Sequence, residues 1–175
     1  MKKLILNLRV FILSLKSKTP EKISKILLRE TLQISSAESC TGGLISSRLT
    51  DVSGSSAYVK MNFVTYSNEA KHKILNVSEE TINKYGAVSE QCAREMSEGL
   101  YRKTKADIAI STTGLAGPTG ATETKPIGLM YVGITNRYKS VVQQFKLNPK
   151  FDRIRMKQEF TQCALQMLLD SLSEG

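Results

Sequence analysis

Ala37-Glu38-Ser39-Cys40-Thr41-Gly42-Gly43 decides how this chain is read. Leu32–Ala37 ahead of it reads as a short strand. Thr41-Gly42-Gly43 then opens a helix that runs to about Leu49 and ends before Asp51-Val52-Ser53-Gly54. A strand that turns through paired glycines into a helix is a building block of α/β domains. The glycines let backbone approach a ligand closely. The helix start offers N–H groups suited to an oxyanion or a phosphate. Ser39 stands at that turn, where a nucleophile would sit on a rigid element. A helix N-cap at Ser39 or Thr41 accounts for the same residues. The segment is not a P-loop, because no Lys-Ser/Thr pair follows the glycines, and it is not a G-x-S-x-G elbow.

The alternation continues outward. Glu21–Glu30 places Ile23, Ile26 and Leu27 near helical spacing. Ala57–Tyr66 reads as a second strand, followed by helices from Ser67 to about Leu75 and after Ser78, with Gly86 closing the latter. Ser89 precedes an amphipathic helix carrying Cys92, Met96 and Leu100 at four-residue spacing. Asp107–Thr112, with Ile108-Ala109-Ile110 at its centre, reads as a strand buried on both faces. Gly114–Gly128 is a long loop, Leu129–Thr135 and Ser140–Leu147 read as a strand pair, and Phe151–Leu172 as a last helix. The expectation is a three-layer α/β/α fold around a mixed, mostly parallel sheet. A length of 175 residues suits one domain. Residues 21–175 are read as that domain and residues 1–20 as a basic N-terminal extension. Asn7 and Arg9 interrupt the apolar run Leu4–Leu15, and no small-x-small cleavage site follows, so an export signal is the weaker reading.

Charge and cysteine usage narrow the function classes. The net charge of +9 is concentrated at two places. Residues 1–30 carry eight Lys/Arg against two Glu, and residues 137–157 carry seven against one Asp. The motif-bearing middle is neutral, so no nucleic acid is expected as partner, although the basic patches leave a nucleic-acid or membrane-surface reading to test. Cys40, Cys92 and Cys163 are odd in number and lack C-x-x-C spacing. That argues against a zinc site or a disulfide framework and for a reducing, cytoplasmic home. No metal or organic cofactor is implied.

A serine nucleophile needs a base. The chain has one histidine, His72, and it adjoins Lys71. A buried lysine can serve as base once its pKa falls toward neutrality, and Ser-Lys pairing is a known variant of the triad. From local sequence alone, a solvated lysine and a surface histidine explain these two residues as well. Cys40 is a rival nucleophile, since a helix N-terminus activates a thiolate, but strand alternation turns Ser39 and Cys40 to opposite faces. Cys92 and Cys163 fall at apolar helical positions and read as core. The loop from Thr112 to Gly120 follows a buried strand and is placed to flank the same crevice as Ser39. Arg153, Arg155 and Lys157 open the last helix, as phosphate ligands or as a plain basic face.

Five segments occur in order: the Ala37–Gly43 stretch, Thr65-Tyr66-Ser67-Asn68-Glu69-Ala70-Lys71, Gly86-Ala87-Val88-Ser89, Thr113-Gly114-Leu115-Ala116-Gly117-Pro118 and Lys125-Pro126-Ile127-Gly128. Together they closely resemble the CinA C-terminal domain family (competence/damage-inducible protein), over about residues 22–172. The enzymatic members of that family are nicotinamide-nucleotide amidases. The resemblance implies hydrolysis of the carboxamide of nicotinamide mononucleotide to nicotinate mononucleotide and ammonia, within pyridine-nucleotide recycling. It implies Ser39 as nucleophile and Lys71 as base, with Thr41, Gly42, Gly43, Tyr66, Thr113, Gly114 and Arg153 around the substrate. A non-catalytic nucleotide-binding or regulatory module is the alternative, and a homo-oligomer stays open. The family often has Gly-Asp-Arg where this chain has Phe151-Asp152-Arg153, and Lys157 stands where an arginine is expected. Larger family members carry a separate N-terminal domain that 175 residues leave no room for.

Overall fold

β1 (Ile34–Glu38) is buried at every position, the pattern of a strand at the centre of a sheet covered on both faces. The structure is a computed structural model describing residues 18–173. β1 pairs in parallel with β2 (Val59–Val64) on one side and with β3 (Ile108–Gly114) on the other. β4 (Leu129–Asn136) runs antiparallel to β3, and β5 (Ser140–Lys146) antiparallel to β4. The five-stranded sheet therefore has the order β2-β1-β3-β4-β5. Its mixed character comes from the β4–β5 hairpin appended to a parallel β2-β1-β3 core.

Two helical layers close the faces. On one lie α1 (Thr19–Arg29), α2 (Leu44–Thr50) and α6 (Arg153–Ser173), packed over Ile34, Ile108, Ile110, Met130, Val132 and Ile134. On the other, α5 (Glu90–Thr104) sets Cys92, Met96 and Leu100 against Ala37 and Ala109. Between β2 and α5 run α3 (Asn68–Leu75) and α4 (Glu79–Tyr85). Ile108, Ala109 and Ile110 alternate between the two layers as strand period demands. The α/β/α architecture expected from the sequence is the observed one.

The helix starts follow capping chemistry. Ser67, Ser78 and Ser89 each accept a hydrogen bond from the amide three residues on, at Ala70, Thr81 and Cys92. Two boundaries differ from the sequence reading. α1 begins at Thr19, with Pro20 in its first turn, so the folded unit starts ahead of residue 21. Of the basic N-terminal extension, residues 1–17 lie outside the described residues. α2 begins at Leu44, because Gly42 (φ +61°) and Gly43 (φ +95°) are both left-handed and a helix cannot include them. Among the described residues no helix is long and apolar enough to cross a membrane.

Candidate functional site

The chain leaves β1 for α2 on one face of the sheet and returns to β3, on the other side of β1, through helices on the opposite face. A crevice opens at the carboxyl ends of strands where connections diverge in this way. Here that point lies between β1 and β3, and the ends of those strands carry Ser39 and Thr113-Gly114. A cavity of about 200 Å³ occupies it. Ser39, Cys40, Lys71, Thr113, Gly114 and Ala116 line it, with Ala87 and Val88 as an apolar wall and Tyr66, Asn68 and Arg153 completing the lining.

Among the described residues Lys71 is the most deeply buried basic side chain. It is 1% exposed, on the inner face of α3. Its Nζ donates to Ser39 Oγ at 3.1 Å and to the carbonyls of Thr65 and Tyr66 at 2.9 and 3.3 Å. Side chains of a helix lean toward its N-terminus, which is how Lys71 reaches carbonyls five and six residues earlier. No carboxylate pairs with it among the described residues. Burial therefore lowers its pKa from the ordinary lysine value, while the thiols of Cys92 and Cys40 oppose this weakly. A neutral amine that donates its two hydrogens to the carbonyls keeps its lone pair for the Ser39 hydroxyl.

His72 lies elsewhere. Its Nδ1 meets the Val77 carbonyl at 2.8 Å and its Nε2 lies 4.0 Å from Glu79, so it ties the end of α3 to the following turn. Cys40 touches the cavity wall but packs into the hydrophobic core at 5% exposure. Burial pushes its thiol up to about 12, which makes it a poor nucleophile at neutral pH. Cys92 is fully buried and Cys163 partly so.

The helix N-terminus is not open to a ligand. Glu38, fully buried at the end of β1, fills it. Glu38 Oε2 accepts from the Thr41 hydroxyl (2.7 Å) and from the amides of Gly43 (2.9 Å) and Ile45 (3.1 Å). Oε1 accepts from the Ser46 amide (2.8 Å) and hydroxyl (2.6 Å). The α2 amides thus serve an internal carboxylate, and neither Ser39 nor Thr41 caps the helix. Sequence reasoning missed Glu38. Its position inside the motif next to Ser39 was the available signal.

The remaining sequence-derived site residues divide. Thr41 is fully buried, bonded to Glu38 and 2.9 Å from the Thr112 hydroxyl, and its side chain faces away from the cavity. Gly42 and Gly43 shape the turn and do not line the cavity. Gly114 does line it, and a Cβ there would fall 2.6 Å from the Leu129 carbonyl, so β4 passes too close for any side chain. Thr113 donates to the Ala87 carbonyl (2.7 Å), holding the apolar wall against β3. Arg153 spans the mouth, donating to the Gly117 carbonyl and to the Tyr66 hydroxyl, both at 2.7 Å. The two departures from the family pattern stay off the lining. Phe151 lies under the Arg155 guanidinium at 4.0 Å, and the Lys157 ammonium lies against Gly42. Asn68, Ala87 and Val88 are lining residues that sequence reasoning quoted without assigning a role. Among the described residues no group of His, Cys, Asp and Glu is placed to hold a metal ion.

The profile of the CinA C-terminal domain matches residues 16–172. The chain belongs to this family. A CinA-like protein of Chloroherpeton thalassium is 49% identical over 155 residues, covering 87% of this chain and 37% of its own length. A CinA-like protein of Dictyoglomus thermophilum is 48% identical over 136 residues, covering 78% and 33%. The CinA domain described here spans about a third of the length of the curated relatives it matches. Solved structures match nearly end to end. The competence/damage inducible protein CihA of Agrobacterium tumefaciens superposes with a TM-score of 0.83 at 37% identity, covering 90% of this chain and 96% of that one. A CinA superfamily protein of Klebsiella pneumoniae gives 0.85 at 30% identity, covering 90% and 98%.

Proposed function

We propose that this CinA domain is an amidohydrolase that converts nicotinamide mononucleotide to nicotinate mononucleotide and ammonia. The observation that carries the reading is the 3.1 Å contact between Ser39 Oγ and a buried lysine with no counter-ion among the described residues. A family that includes nicotinamide-nucleotide amidases supports the choice of substrate.

In this reading neutral Lys71 takes the Ser39 proton as Oγ attacks the carboxamide carbon. In the same reading the amide of Cys40, next in sequence to the nucleophile, donates to the oxyanion. Lys71 then passes the proton to the leaving nitrogen and ammonia departs. Water, deprotonated by Lys71, attacks the acyl-serine, and the acid leaves as Ser39 regains its proton. Ala87 and Val88 present an apolar wall to the pyridine ring. Arg153, at the mouth, supplies N–H groups to the phosphate.

Ammonia release from the nucleotide tests this directly. The purified chain should release it, and a Ser39→Ala variant should fall to background. Nucleotide binding by calorimetry without ammonia release would overturn the hydrolase and leave a binding module.

A further inference from the structure

We propose that Asn68 reads the sugar hydroxyls of the bound nucleotide and so sets the enzyme's preference for a ribosylated amide, an inference that rests on the reading above. The polar side chains of the cavity are otherwise committed. Ser39 and Lys71 hold each other. The Thr113 hydroxyl is spent on the Ala87 carbonyl and the Tyr66 hydroxyl on Arg153. Asn68 lines the same cavity, yet among the described residues its carboxamide has no hydrogen-bond partner.

Depth assigns the part of the ligand that it meets. Ser39 and Lys71 are 9% and 1% exposed and form the floor, where the reacting carboxamide must lie. Asn68 is exposed and stands at the mouth, as does Tyr66 at 59%. Asn68 opens α3 three residues before Lys71, so the two side chains share one helix face about 5–6 Å apart. Tyr66, two residues earlier, is bonded to Arg153. Asn68 therefore shares one cavity with the group that reacts at its floor and with the guanidinium at its mouth, which we take to meet the phosphate. In a nucleotide the segment between base and phosphate is the sugar, which presents hydroxyls that both donate and accept. An uncharged carboxamide carries a donor and an acceptor and matches that pair without adding a charge beside the Arg153 guanidinium.

The experiment compares the full chain with Asn68→Ala on nicotinamide mononucleotide and on its 2′,3′-dideoxyribose analogue. The wild type should process the natural nucleotide about 10-fold better, as kcat/KM, than the dideoxy analogue, which is about 1.4 kcal/mol of discrimination. Asn68→Ala should lose about 10-fold on the natural nucleotide, mainly through KM, and little on the analogue. Asn68→Asp keeps the acceptor and suits a helix start, so it should fold normally and retain part of the preference. Equal losses on both substrates, or no loss on either, would overturn the role of Asn68. If the wild type releases no ammonia, the hydrolase reading fails, and calorimetry with the same two ligands still decides for Asn68. A preference present in the wild type and erased in Asn68→Ala supports it, whereas equal affinities, or no binding of either ligand, overturn it.

Discussion

Replacing Glu38 by Gln tests whether a buried carboxylate organises the nucleophile's turn. The two oxygens of Glu38 accept from the amides of Gly43, Ile45 and Ser46 and from the hydroxyls of Thr41 and Ser46. A glutamine has the same shape but must aim its NH2 at one of the two donor sets. The Ser46 side is the milder choice, because the Ser46 hydroxyl rotates to accept and only the Ser46 amide then faces a donor. One orphaned buried donor costs about 1–3 kcal/mol, and the bonds left on the other oxygen lose their charge assistance. Relief from burying a charge works in the opposite direction. Five bonds converging on one carboxylate decide the sign. We expect Glu38→Gln to destabilise the domain by about 2–4 kcal/mol, a fall in Tm of roughly 5–15 °C at this chain length. Glu38→Ala orphans every donor and removes more than about 4 kcal/mol from a total of about 5–15, so Gln is the informative variant. Urea unfolding with m left free is the assay. An unchanged m with a midpoint equivalent to less than about 0.5 kcal/mol of destabilisation would refute the account.

Further outcomes follow from the site. Lys71 is needed as the neutral amine, so kcat/KM should fall as pH drops below its lowered pKa, with the limb on the acid side of the ordinary lysine value of 10.5. In the window between that lowered pKa and 10.5 the unfolded chain binds more protons than the folded one, so stability rises with pH there. Lys71→Met should abolish turnover while leaving stability within about 1 kcal/mol of the parent, because relief from burying the amine offsets the bonds lost at the Thr65 and Tyr66 carbonyls, read from paired ammonia and urea measurements; turnover that survives in Lys71→Met would reassign the base. Cys40→Ala should keep ammonia release within about threefold of the parent while losing about 1 kcal/mol of packing, and mass spectrometry should find Cys40 unlabelled by iodoacetamide at pH 8. His72→Ala should retain activity and cost about 0.5–1.5 kcal/mol through the Val77 contact; an inactive, folded His72→Ala would reassign the base.

What was legible in the sequence is what short-range physics controls. Strand and helix periods, the serines that start α3, α4 and α5, and the turn forced by Gly42 and Gly43 depend on neighbours a few residues away, and they are where the sequence puts them. The pairing of Ser39 with Lys71 came from a different source, the scarcity of histidine joined to a resemblance over five segments. What decides Lys71 is its burial, and that requires α3 to bring it against Ser39, just past the end of β1, a tertiary fact with no local signature. Thr41 illustrates the converse. Its place in the motif suggested a substrate contact, but Glu38 and Thr112 meet its hydroxyl inside the protein. Lys157 was read as a phosphate ligand or as part of a plain basic face, and its ammonium lies against Gly42 and off the cavity lining. Asn68 went unassigned for want of any property beyond being polar.

Glu38 and Lys71 acquire a joint meaning once both are placed. They flank Ser39, one adjacent in sequence and one through space, and a carboxylate paired with the lysine would hold that lysine protonated and useless as a base. The fold prevents this by saturating Glu38 with five donors from the turn and from α2, while Lys71 receives only carbonyls and the serine hydroxyl. Burial then acts on Lys71 without a paired carboxylate, among the described residues, to offset it. The helix N-terminus that the sequence suggested as a ligand site thus contributes indirectly, by holding Glu38, the buried carboxylate next to the nucleophile, away from the base.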